Sequence, residues 1–152
     1  MSKKINFAPI IGVLLIRSLF ANPSEIDSDA LKYKSMSAVR TNSAPKIDGN
    51  LADAEWENAV VLDDFIQYEP YNLQSPSVKT EVRVLYDDNY VYIAFQNFDP
   101  DPSSIMDRIS RRDDFEAIEK NVDWVGFGID SNNDDMTGNW FMLTAAEVQL
   151  DV

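Results

Sequence analysis

The sequence predicts an all-β fold, a β-sandwich with one or two short helices, and three observations carry that prediction. Apolar residues alternate with a period of two in several short runs: at Val82, Val84 and Tyr86, at Val91, Ile93 and Phe95, and at Val125, Phe127 and Ile129. Acidic or Asn-rich turn signals separate these runs, with only token helical segments between them. A chain of 152 residues with 45% apolar content is long enough for one domain with a real core.

Taken in order, the chain opens on an export signal. Lys3 and Lys4 precede an apolar run from Ile5 to Ile16, and Leu19-Phe20-Ala21 ends in a small residue before Asn22-Pro23, so residues 1–21 read as a signal peptide. The run is shorter than the roughly 20 residues of a membrane-spanning helix. Its removal would take Lys3, Lys4 and Arg17 and leave the remainder more acidic. A periplasmic or cell-surface location in a bacterium is expected. Residues 22–42 are polar, rich in Ser and aperiodic, a linker or pro-region. The sandwich is expected over 43–152.

Asp48-Gly49-Asn50 marks a turn, and Leu51 to Glu57 is expected as a short helix capped by Asn50, with Ala52, Trp56 and Ala59 on one face. Thr80 to Tyr86 and Val91 to Gln96 read as two strands joined at Asp87-Asp88-Asn89, a hairpin. Asp101-Pro102 and Ser103 to Ile109 suggest a turn of helix, and Arg111 to Asp114 a charged loop. Trp124 to Asp130 is a strand expected to bury Val125, Phe127 and Ile129, while its other face holds Trp124, Gly126 and Gly128. Two glycines there leave bare backbone that a ring can approach closely. Ser131 to Gly138 is a polar hairpin loop, and Asn139 to Thr144 and Val148 to Val152 extend the sheet. The chain stops on an apparent strand, so a sandwich incomplete at its carboxyl end is expected.

Composition limits the chemistry. With no His and no Cys, the chain has no Ser-His-Asp or Cys-His nucleophile and no zinc site of nitrogen and sulfur ligands. A haem site of the usual His-ligated kind is excluded as well. The net charge of -13 argues against nucleic acid and anionic membranes as partners. A self-contained glycosidase would need two facing carboxylates. With 26 acidic residues any pair can be imagined, and a solvated acidic surface is the expected reading.

Two constellations remain. Asp130, Asn132 and Asp134 alternate like the oxygen ligands of a calcium loop, although Asp135 and Phe141 stand where that pattern needs Gly and Glu; a structural Ca2+ is the candidate cofactor, and plain turn chemistry the alternative. Aromatic rings can stack on the apolar faces of sugars while amides and carboxylates bind hydroxyls. Trp124, with Tyr68 and Tyr71 in the loop from Gln67 to Ser77, and Arg111 and Arg112, are the candidate ligand contacts.

The blocks from Ala44 to Trp56, Thr80 to Ala94 and Asp123 to Asp130 resemble family 9 carbohydrate-binding modules, a β-sandwich family related to DOMON domains. The resemblance covers about Val39 to Val152. The chain is most similar to the amino-terminal domain of large exported bacterial proteins whose remainder looks like an outer-membrane β-structure. In sugar-binding members a Trp before the third block stacks on the sugar and a Glu within it binds hydroxyls; those places fall on Lys120 and Gly126, so neither role transfers. The resemblance implies a non-catalytic domain of an exported protein that binds polysaccharide or oligosaccharide, in association with hydrolysis of O-glycosyl compounds. The alternative is a structural or docking domain of an outer-membrane protein with no sugar site.

Overall fold

The computed structural model describes residues 36–134 and 136–152. The expected signal peptide and most of the expected linker lie outside them.

Sheet one is built around β3 (Lys79–Tyr86). Its antiparallel partner β4 (Val91–Phe98) runs in register from Lys79 opposite Phe98 to Tyr86 opposite Val91. The turn between them closes by Asp87 N–H to Tyr90 C=O at 3.0 Å, with Asp87 Oδ1 accepting from Asn89 and Tyr90 N–H. The other edge of β3 is shared by two short strands. β1 (Val39–Arg40) pairs parallel at Leu85 and Tyr86, and β2 (Val61–Leu62) pairs antiparallel at Arg83 and Val82. β1 falls within the stretch read as linker. Strands of two residues show no periodicity to read.

β3 is covered on both faces, as a central strand should be. Val82 and Val84 are buried on one face, and Leu85 on the other packs with Trp56, Ala59, Tyr92 and Ala94. Trp56 comes from α1 (Ala54–Glu57) and is 3% exposed. The helix expected over Leu51 to Glu57 is thus shorter, and Asn50 is not its cap. Asn50 Oδ1 accepts from Ala52 N–H at 3.1 Å and Asp48 Oδ1 from Asn50 N–H at 3.0 Å, local turns that compete with helical bonding. Asp53 occupies the cap position without a side-chain cap, Ala52 is exposed, and Leu51 packs against the core in its place.

Between the sheets, the helical turn expected over Ser103 to Ile109 is confined to a 3-10 turn at Pro102–Ser104, capped by Asp101. α2 (Phe115–Asn121) follows, with Asp114 Oδ1 accepting from Ala117 N–H at 3.2 Å as its N-cap. Sheet two is the antiparallel meander β5 (Trp124–Ile129), β6 (Asn139–Thr144) and β7 (Gln149–Asp151). α2 lies on one face of it, where Ile118 and Val122 bury Leu150 and pack against Trp124, Met142 and Val148. The expected one-sided burial of β5 is replaced by a two-sided one: all six residues are half-buried, Trp124 packing under the helix while Val125 and Phe127 face the other sheet. Two sheets with few short helices form the expected all-β, sandwich-like fold.

Candidate functional site

The register of β5 and β6 sets Gly128 opposite Trp140 and Gly126 opposite Met142. Trp140 exchanges both backbone hydrogen bonds with Val152, at 2.7 and 3.0 Å. Towards β5 it is therefore in a non-hydrogen-bonded pair, the closer kind, roughly 4.5 Å between Cα atoms. The indole lies down over Gly128. Its Cδ2, Cε2 and Cε3 atoms are 3.6–3.7 Å from where a Cβ on that glycine would sit. Trp140 joins neither buried cluster and is 48% exposed, so one ring face rests on the sheet and the other is open.

Trp124 sits differently. It is half-buried, packed on the Ile118, Val122 and Leu150 cluster, with Cζ3 only 3.2 Å from a Cβ position at Gly126. The two-glycine face thus holds one indole under the helix and one beyond it. Sequence reasoning chose the first; the signal for the second was the pairing of Gly128 with Trp140 across the hairpin. Lys120 falls on α2, and Gly126 is enclosed by Trp124, Met142 and Phe141.

The loop between β5 and β6 adjoins Trp140 and is built by its own polar side chains. Asp134 Oδ1 accepts from Met136 N–H at 2.9 Å and Thr137 N–H at 2.8 Å, and these bonds hold its carboxyl below the usual range. Asp130 Oδ1 accepts from Asn132 N–H at 3.1 Å, and Asn132 Nδ2 donates to Thr137 Oγ1 at 3.0 Å. The three residues expected as calcium ligands therefore share a loop, in which Asp130 and Asp134 spend carboxylate oxygens on the turns and Asn132 donates its side-chain amide. Among the described residues no group of three or more Asp, Glu, His or Cys converges as a metal site would require.

The remaining candidates are dispersed. Tyr68 and Tyr71 are exposed in the loop before β3, held by Gln67 pairing with Gln74, and among the described residues no ring contact joins them to another aromatic. Arg111 is exposed and its carbonyl accepts from Asp114 N–H. Arg112 binds the Asp151 carboxylate, which raises its pKa, and donates to Gln149 Oε1 at 3.3 Å. Asp113, at a left-handed φ of 61°, donates its N–H to Gln149 C=O and accepts from Asp151 N–H at 3.1 Å. The Arg111 to Asp114 loop is accordingly a clasp along the outer edge of β7. Gln149 and Asp151 pair with Leu143 and Phe141 on the face away from Trp124, so Arg112 and Trp124 are on opposite sides of sheet two.

On that far side a cleft of about 420 Å3 opens between the sheets, lined by Ile93 and Phe95 of β4 and by Val125, Phe127, Phe141 and Leu143 of sheet two. The Phe127 and Phe141 rings stack along it at 5.2 Å. Its walls are apolar, and Arg112, Gln149 and Asp151 are the polar residues beside it.

The comparisons with known proteins give one finding. Residues 47–141, which contain α1, both long hairpins as far as Phe141, and Trp140, match the family described as "Carbohydrate family 9 binding domain-like". No curated protein and no solved structure matches the chain.

Proposed function

The chain belongs to the carbohydrate family 9 binding domain-like family, and from that premise we propose that it is a non-catalytic carbohydrate-binding domain of an exported protein that takes part in polysaccharide binding or breakdown. Trp140 carries the reading: it lies within the matched residues, flat over Gly128 with one face exposed, and the flat CH face of a pyranose can stack on such a ring. The adjoining loop supplies Asn132, Asn133, Asp134 and Thr137, the amide, carboxylate and hydroxyl groups that sugar hydroxyls require. Lys3, Lys4 and the apolar run to Ile16 support export, as sequence features of the described kind do.

The test is calorimetry of the full chain against xylan- and cellulose-derived oligosaccharides, with and without Ca2+, and Trp fluorescence in parallel. Saturable heat and a fluorescence change are expected. Trp140→Ala should weaken binding by about twofold to tenfold, the worth of one aromatic stack. Absence of both signals from the unmodified chain would sink the proposal, and an unaffected Trp140→Ala would remove Trp140 from it. A docking domain without a sugar site is the second reading, favoured by the open apolar cleft.

A further inference from the structure

Glycine is an unfavourable choice inside a strand, because it gives up the most conformational freedom on folding and offers no side chain to the sheet. β5 carries two. For Gly126 the fold supplies the reason: a Cβ there would lie 3.1 Å from the Phe141 carbonyl oxygen, in space already filled. Gly128 has no such reason. Its φ is outside the left-handed region, and the atoms nearest to an added Cβ are those of the Trp140 indole, at an ordinary contact distance of 3.6–3.7 Å. Neither the backbone nor the core therefore requires glycine at 128. A local rule broken without a packing cause points to a functional one.

What the missing side chain does is set the pose of one ring. The three indole atoms over Gly128 include both ends of the bond shared by the two rings, Cδ2 and Cε2, and all three are nearly equidistant from the Cβ position. The indole thus turns its face to the glycine, not its edge. The strands are also close here, because Trp140 spends both backbone hydrogen bonds on Val152 and pairs with Gly128 in the non-hydrogen-bonded manner. One ring face is supported and the opposite face is turned outward. A branched side chain at 128 would place methyl groups where the ring now lies, and the indole would have to tilt or swing away.

From these observations we infer that Gly128 is the positioning residue of the carbohydrate site. It acts through Trp140, by letting the indole lie flat so that a pyranose meets a ring face already held in place. A ring that had to be laid down by the ligand would lose its rotamer freedom on binding, whereas a ring laid down by packing has lost it on folding. The inference rests on the reading of Trp140 as the stacking platform, and adds that the affinity of that platform is set from beneath it. Gly126, two residues away, has no such role, because its indole, Trp124, is packed under α2.

The test compares Gly128→Ala, Gly128→Val, Trp140→Ala and the double variant Gly128→Val/Trp140→Ala in the full chain, by calorimetry against xylan- and cellulose-derived oligosaccharides and by urea unfolding. Binding should fall from the parent to Gly128→Ala to Gly128→Val, the last reaching the loss of about twofold to tenfold expected of Trp140→Ala. Neither Gly128 variant should unfold at lower urea than the parent, since both residues suit a strand better than glycine. The double variant should bind no more weakly than Trp140→Ala alone, because Gly128 acts only through the ring. Nuclear magnetic resonance reads the pose without sugar: one Gly128 Hα points into the indole face and should be shifted upfield by its ring current, a shift absent from Trp140→Ala. Four results would each overturn the inference and leave sugar binding standing: Gly128→Val binding as the parent does, a double variant weaker than Trp140→Ala, binding lost together with stability, or an unshifted Gly128 Hα. A parent that binds no oligosaccharide, or a Trp140→Ala that binds as well as the parent, would overturn the reading of Trp140 and the inference with it.

Discussion

Two glycines in one strand, two residues apart, should respond to the same substitution in opposite ways. A Cβ at Gly126 would lie 3.1 Å from the Phe141 carbonyl oxygen, 3.2 Å from Met142 Cγ and 3.2 Å from Trp124 Cζ3. The carbonyl belongs to the neighbouring strand and the indole is wedged against the Ile118 cluster, so neither can retreat freely. Overpacking of this kind costs about 1–3 kcal/mol, and the smaller entropy of an unfolded Ala returns only about 0.4–1 kcal/mol, leaving Gly126→Ala about 1–2 kcal/mol less stable. At Gly128 the nearest atoms are the Trp140 ring at 3.6 Å, ordinary contact, and the backbone has no left-handed φ. Gly128→Ala should therefore be stabilised by about 0.4–1 kcal/mol. Urea unfolding followed by far-ultraviolet circular dichroism separates the two: a gap of about 2 kcal/mol, or roughly 8 °C in thermal midpoint, is expected between them. A Gly126→Ala variant as stable as the parent, or two variants within about 0.5 kcal/mol of each other, would refute the packing argument.

Leu85→Ala should cost about 2–5 kcal/mol, because the side chain is fully buried among Trp56, Tyr92 and Ala94; a loss of unfolding free energy below about 1 kcal/mol in urea titration would show that the α1 side of sheet one is not packed as described. The pH dependence should have two limbs that meet in one hydrogen bond, Tyr92 Oη to Asp87 Oδ2 at 2.7 Å. That bond, with the Asn89 and Tyr90 amides, holds Asp87 below its usual range, so its stabilisation is present above a pH of about 4 and fades as pH falls through the folded-state value. The same bond leads in pushing Tyr92 up to about 12, so its contribution is present below the unfolded value of about 10 and is lost as pH rises towards 12. Tyr92→Phe should shrink both limbs in thermal midpoints taken across pH, leaving at the alkaline end the share that Lys79 contributes through Glu81. An unchanged alkaline limb would contradict the assignment.

The long hairpins were legible because their side chains alternate and their turns are written in Asp and Asn: Asp87 to Asn89 for one, Asp130 to Gly138 for the other. β1 and β2 were not, since two residues carry no period and their places come from partners elsewhere in the chain. α2 had a helical signal that was missed: Phe115, Ile118 and Val122 follow helical spacing after the cap Asp114, but the charged loop before them obscured it. Which face of β4 is buried could not be read at all. Both faces are apolar, and the choice of Tyr92 and Ala94 is made by Trp56 arriving from α1. At the candidate site the sequence supplied the glycines and the tryptophans. Only the register across the hairpin showed which indole is covered by α2 and which is open.

The sheet connectivity also orders events in time. β3 with β4, and β5 with β6 and β7, join strands adjacent in sequence through connections of four to nine residues, whereas β1 reaches Leu85 and Tyr86 from far along the chain. Local pairings close before distant ones because their loop entropy is smaller. Each sheet can therefore assemble around its own hairpin, with β1 and β2 joining a β3 strand that already exists. On that order β4 is zipped to β3 before the rest of the sandwich is complete, and its uncharged outer edge is presented to solvent from the earliest moments of folding.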